Sequence, residues 1–108
     1  MKHYIIVKEM DKRFELVESS ELLQDKVILE TVGVDNVAGL DIAIMDEFVM
    51  VSNGFSDKSN FKIHVKNNGK VKTKELKGTV IVCESYDGKL GGFEENKAKA
   101  LQGNLNFE

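Results

Sequence analysis

The sequence predicts an α+β domain: a mainly antiparallel, twisted sheet of five to seven strands with two helices packed on one face. Three observations predict it. Short runs rich in β-branched residues recur along the chain, as in His3–Lys8, Phe61–Lys66 and Thr79–Glu84. The connections between them are of hairpin length, which imposes antiparallel order. They are built from Gly, Asn, Asp and Ser, because the chain has no proline. Two further segments carry the chemistry of a helix start. At 108 residues the chain suits one domain, residues 1–108, long enough to bury a core without a disulfide or metal staple.

Taken in order, His3 to Lys8 reads as a strand, and Phe14 to Glu18 alternates as its hairpin partner, with the charged stretch Glu9 to Arg13 between them. Ser19 and Ser20 offer N-caps, and Glu21 stands where the helix dipole favours an acid, so a short helix is expected near Ser20 to Lys26. Val27 to Val34 is strongly β-branched and is compatible with a strand. Leu40 to Met45 is an apolar run suited to a strand buried on both faces. Phe48 to Ser52 resumes it after Asp46-Glu47, either as one long kinked strand or through a tight hairpin. Ser52 to Asn60 reads as a loop. Phe61 to Lys66 and Lys70 to Leu76 flank the turn signal Asn67-Asn68-Gly69.

Gly78 leads into Thr79 to Glu84, whose Val80, Ile81, Val82 and Cys83 suit a central strand. Asp87-Gly88 marks a turn, and Gly91-Gly92 closes the region. Glu94 to Gln102 is helical by composition, with Glu95 and Lys99 at i,i+4 and Phe93, Lys97 and Leu101 on one stripe. Gly103 is expected to end that helix in the left-handed conformation. Leu105 and Phe107 are candidates to dock on the core.

The net charge of -3 conceals a segregation. Residues 1–57 carry a net -7, residues 58–77 a net +6 from seven lysines against Glu75, and residues 78–108 a net -2. A basic island between acidic flanks can mark an anion-binding surface. Its hairpin has two possible registers. A two-residue loop, Asn68-Gly69, would set Val65 against Lys72 and Ile63 against Lys74. A three-residue loop, Asn67 to Gly69, would pair Val65 with Val71 and Ile63 with Thr73, keep an apolar face intact, and is the expected register. It would gather Lys62, His64, Lys66, Lys70, Lys72 and Lys74 on one exposed face. Such a face has three readings: it guards an open edge, it is neutralised by the acidic half, or it binds an acidic protein or nucleic-acid backbone. No arginine and no same-face aromatic stands among these lysines, so any nucleic-acid contact would be made to phosphate and would be salt-sensitive.

Little else points to chemistry. The one cysteine, Cys83, stands in the most apolar strand and reads as a buried structural thiol. His3 and His64 lack companions at ligand spacing, so no metal site is expected. Asp41, Asp46 and Glu47 form the close carboxylate group, read here as solvated rather than as an acid/base pair. Gly88, Gly91 and Gly92 precede a helix but lack the phosphate-loop pattern, and Glu94-Glu95 would repel phosphate there. No apolar run approaches the ~20 residues of a membrane-spanning helix, and no secretory leader is readable.

The order of segments resembles the family called domain of unknown function 3846. The resemblance runs over the N-terminal strand pair, Gly39-Leu40-Asp41 leading to the acidic pair Asp46-Glu47, the Gly78 to Val82 strand, the Asp87-Gly88 turn and the closing helix Glu94 to Leu101. Ser52-Asn53-Gly54-Phe55 stands where that family usually has Leu-Pro-x-Asn. The resemblance implies a phage, plasmid or other mobile-element origin in bacteria and carries over no catalytic residues.

The functional expectation is a cytoplasmic, non-enzymatic binding or accessory module without cofactor, catalytic residues or membrane association. Its expected contact residues are Lys62, His64, Lys66, Lys70, Lys72 and Lys74, and its partner an acidic protein or a nucleic-acid backbone. The alternative is a phosphate-directed nucleic-acid-binding protein using the same face.

Overall fold

The computed structural model describes residues 2–8, 13–19, 23–45, 48–54, 60–67, 69–86 and 88–107. Its elements run β1 (Lys2–Lys8), β2 (Arg13–Ser19), α1 (Asp25–Val32), a 3₁₀ turn (Val37–Gly39), β3 (Leu40–Ile44), β4 (Val49–Asn53), β5 (Asn60–Asn67), β6 (Lys70–Lys77), β7 (Val80–Tyr86), β8 (Lys89–Gly91), β9 (Phe93–Glu94), α2 (Glu95–Asn104) and β10 (Leu105–Phe107). Seven strands form one antiparallel sheet with the order β2-β1-β7-β4-β3; β8 pairs with β7, and β9 with β1. A second, three-stranded sheet has the order β10-β5-β6. The α+β class and the antiparallel order stand as the sequence predicts.

The central strands are apolar on both sides because both sides of the sheet are covered. Ile5 and Val7 of β1, Met50 of β4 and Val80 and Val82 of β7 join Phe93, Ala98 of α2 and Leu105 of β10 in one buried cluster. The alternate residues Tyr4, Val49, Val51, Ile81 and Cys83 join Ile28 and Val32 of α1 in another. A strand's side chains alternate between faces, so the two clusters are the two faces of the sheet. The helices therefore lie on opposite faces, not on one face as expected. Two amphipathic segments have no local means of specifying which face each one covers. That depends on where the connecting strands place them.

Helix α1 begins later than the expected Ser20 to Lys26, of which Ser20, Glu21 and Leu22 lie outside the described residues. It takes in the β-branched stretch instead. Gln24 is its N-cap, without a side-chain capping bond, and Gly33 ends it at φ 80°, its N–H donating to the Leu29 carbonyl. Ile28 and Val32, one helical turn apart, are both buried on the sheet. Burial of that stripe outweighs the small propensity cost of β-branching in a helix.

Strands β3 and β4 form a hairpin, with Ile44 opposite Val49 and the Met45 N–H donating to the Phe48 carbonyl at 2.9 Å. The tight-hairpin alternative holds over the kinked strand; the turn residues Asp46 and Glu47 lie outside the described residues. So do Glu9 to Lys12, Phe55 to Ser59, Asn68 and Asp87, which carry the other expected connections. Of these two strands, β4 is the one buried on both faces, from Val49 to Ser52. β3 is the sheet's edge, and its Ile42 and Ile44 are 48% and 82% exposed. An isoleucine run looks the same in sequence whether its strand has one neighbour or two.

At the other end of the chain, Glu95 pairs with Lys99 at 2.8 Å, as its spacing predicts. Lys97 Nζ stands 5.7 Å from the centre of the Phe93 ring and 3.5 Å from Glu84. The Gln102 side-chain amide donates to the Phe14 carbonyl and ties α2 to β2. Leu105 docks on the core, as anticipated. Gly103, by contrast, lies inside α2 and is not left-handed; the left-handed glycines are Gly33, Gly69, Gly78 and Gly88. The helix runs directly into β10, with Leu105 as its extended C-cap, so no reversing glycine is needed. A Cβ added at Gly103 would meet nothing within 4 Å. Gly103→Ala is therefore expected to stabilise the fold by about 0.5–1 kcal/mol. A urea midpoint lowered by the substitution would contradict the helical assignment.

Candidate anion-binding hairpin

The basic island forms the β5–β6 hairpin. β5 is held on one side by β10 (Leu105 opposite Val65, Phe107 opposite Ile63) and on the other by β6. β6 is the open edge of this small sheet. The hairpin closes at Asn67 opposite Lys70, which leaves the two-residue loop rather than the expected three-residue one. Gly69, at φ 78°, supplies the left-handed residue that such a turn requires.

The register consequently sets Lys66 opposite Val71, Val65 opposite Lys72, His64 opposite Thr73, Ile63 opposite Lys74 and Lys62 opposite Glu75. This corrects the single six-residue face. Lys62, His64 and Lys66 share one face, and Lys70, Lys72 and Lys74 belong to the other. Two forces favour the observed arrangement. Asn-Gly is the preferred sequence for a two-residue hairpin turn. The rejected register would also have opposed like charges in cross-strand pairs, which here become Lys62 with Glu75 and His64 with Thr73. The expected gain from pairing Val71 with Val65 is absent because, among the described residues, no strand pairs with the outer side of β6 and Val71 stays 60% exposed.

Lys62, Lys66, Lys70 and Lys72 are all exposed, and His64 is half-buried with Nδ1 2.8 Å from Thr73 Oγ1. Positive charge thus surrounds the hairpin instead of coating one side. A groove of about 560 Å³ runs between its first face and the end of α2, lined by His64, Lys66, Val71, Gly103, Asn104 and Leu105. The C-terminal carbonyls of α2 carry the negative end of the helix dipole into that groove, so the outward lysine ammoniums are the better seats for an anion.

The remaining candidates take structural parts. Cys83 is fully buried in β7, and burial pushes its thiol up to about 12. Asp41 is exposed on β3 and pairs across to Ser52. Gly88 is a left-handed turn residue, and Gly91 and Gly92 are buried ahead of β9. At the start of α2, a hydrogen bond from Lys2 at 2.7 Å, reinforced by its charge, holds the Glu94 carboxyl below the usual range. Lys99 does the same for Glu95. Both carboxylates are then ionised at that helix start, which disfavours phosphate. Among the described residues, no three His, Cys, Asp or Glu side chains converge as metal ligands, and no helix is long and apolar enough to cross a membrane.

The sequence set His3 aside as a metal ligand and gave no sign of its burial. His3 is buried between β2 and β9, with Nδ1 unbonded and Nε2 4.0 Å from Glu18 Oε1. A histidine near the start of a strand gives no local sign of being enclosed. Comparisons with protein-family models, with curated proteins and with solved structures find no match to this chain.

Proposed function

We propose that the protein is a non-enzymatic, cytoplasmic binding module that engages an acidic macromolecular partner through the β5–β6 hairpin. The observation that carries this reading is the exposure of Lys62, Lys66, Lys70 and Lys72 on a peripheral hairpin, in a segment of net charge +6 within an otherwise acidic chain. Lysine ammoniums on long, mobile stems suit a carboxylate or phosphate surface read by charge rather than by shape. A bacterial mobile-element origin, implied by the resemblance in segment order, belongs to the same proposal.

The two-faced distribution favours a second reading, a phosphate-directed nucleic-acid binder. A prong charged on both faces fits a groove bounded by two phosphate tracks, whereas a flat acidic protein surface would engage one face. The test is titration of a fluorescent DNA duplex at rising salt with two double charge reversals, Lys62→Glu/Lys66→Glu and Lys70→Glu/Lys72→Glu. For the nucleic-acid reading, both variants should bind at least about tenfold more weakly, and wild-type affinity should fall steeply with salt. Absence of salt-sensitive binding to the duplex defeats that reading. The wider one is tested by pull-down at low salt. Capture of one defined acidic protein, lost in either double reversal, supports it, and retention in both variants overturns it.

A further inference from the structure

We propose that β3 is a strand-pairing site for a second copy of this chain, joining two seven-stranded sheets edge to edge. This goes beyond the hairpin reading and involves the opposite end of the molecule's charge distribution.

The inference starts from the hydrogen-bond phase of the β3–β4 hairpin. The Gly54 N–H donates to the Gly39 carbonyl at 2.8 Å, and the Met45 N–H to the Phe48 carbonyl at 2.9 Å. These bonds fix the alternation between them. Asp41 and Ala43 turn their backbone groups towards β4, while Leu40, Ile42 and Ile44 turn theirs outward. Among the described residues, no strand pairs with that outer side, where the Leu40 N–H donates to the Val37 carbonyl.

Two other edge strands, β2 and β6, carry more charge than β3, whose charged side chain is Asp41. β2 exposes Arg13, Glu15 and Glu18 and is tied to α2 through Phe14. β6 carries the exposed Lys70 and Lys72. Charge along an edge deters pairing. β3 presents Ile42 and Ile44 instead, both on the α1 face, since they oppose Val51 and Val49 of that cluster.

The edge is complementary to itself. In an antiparallel pairing on a two-fold axis at Ile42, Ile42 meets its own copy, and Leu40 meets Ile44 of the second chain. All three are outward-bonding residues; the Leu40 N–H already donates to the Val37 carbonyl, so the register uses both backbone groups of Ile42, the Ile44 N–H and the Leu40 carbonyl. Asp41 falls opposite Ala43, not opposite another carboxylate. Beside Leu40 and Ile42 lies a groove of about 670 Å³, whose apolar lining includes Leu23, Ile28, Val37 and Leu90. The two-fold register brings the 82%-exposed Ile44 of the second chain to the mouth of that groove, and the reciprocal contact repeats it. Helix α1 packs on β4 and β7, away from the outer side of β3.

Five residues per strand bury less than the ~1,000 Å² that a stable specific interface clears, so the dimer is transient and concentration-dependent. The acidic halves approach each other, residues 1–57 carrying a net -7, so salt should tighten association by screening. Polyanion binding by the hairpin has the opposite salt dependence.

The test combines sedimentation velocity with disulfide trapping. Wild type should shift from monomer to dimer between about 10 µM and about 1 mM. Ile44→Lys should remain monomeric with an unchanged far-ultraviolet spectrum. For trapping, I42C and I44C are oxidised separately; Cys83 is buried and does not compete. At the axis, opposed α-carbons lie about 5.5 Å apart, within disulfide reach. Two I44C thiols would be offset by four residues, roughly 13 Å along the strand. I42C should therefore cross-link at least about tenfold faster, although Ile44 is the more exposed residue. A monomer throughout the concentration range, a persisting Ile44→Lys dimer, or I44C cross-linking as fast as I42C would each overturn the proposal.

Discussion

Phe93→Ala is expected to lower the free energy of unfolding by about 3–5 kcal/mol, and Ile81→Ala by about 2–5 kcal/mol. Both side chains are fully buried, and both are among the largest that are. They belong to different clusters: Phe93 with Ile5, Met50, Val82 and Ala98, and Ile81 with Tyr4, Ile28, Val32 and Cys83. The sheet separates the two sets. Substitutions without shared partners add to within about 0.5 kcal/mol, so the two faces should behave as independent cores. The combined loss approaches the whole stability of an ordinary domain. The cycle is therefore measured with Phe93→Leu combined with Ile81→Ala, by urea denaturation. A coupling above about 1 kcal/mol would show one continuous core, which is what two helices on a single face would have produced.

The second large effect is alkaline. Burial holds the Cys83 thiol protonated until about 12, against 9.0 for an ordinary cysteine. The unfolded chain loses that proton first, so the native state binds more protons between the two values. Stability contributed by the neutral thiol is complete below pH 9 and is lost as the pH rises towards 12. The loss reaches at most about 4 kcal/mol at the upper end. Cys83→Ala removes this linkage, so its stability should fall less steeply above pH 9 than that of wild type. Parallel curves would place the thiol in water, as would equally fast reaction with a thiol reagent in the native and unfolded states.

The legible parts of this molecule were those with a local physical signature. Val80 to Cys83 reads as a central strand because only a strand covered on both faces has use for four consecutive apolar residues, and β7 lies third of the five strands along the sheet. The Glu95–Lys99 pair and the docking of Leu105 were likewise readable from spacing and hydropathy. The hairpin at residues 60–77 was readable as a hairpin, and its lysines as an exposed basic island. Its register was not. The expected register assumed that Val71 would be buried beside Val65, but β6 ends its sheet and leaves Val71 in water, where turn preference and charge opposition decide instead.

By itself, then, the sequence determined the α+β class, the antiparallel order, the apolar central strand, the buried thiol and the segregation of charge. Each follows from side-chain period, turn chemistry or composition within a few residues. Tertiary structure alone decided that α1 and α2 cover opposite faces, that β3 is an edge with Ile42 and Ile44 outside, that Gly103 is helical, and that the lysines divide between two faces. These are properties of neighbours distant in the chain. Whether an apolar side chain is buried depends on what lies beside its strand, and no local pattern of residues contains that information.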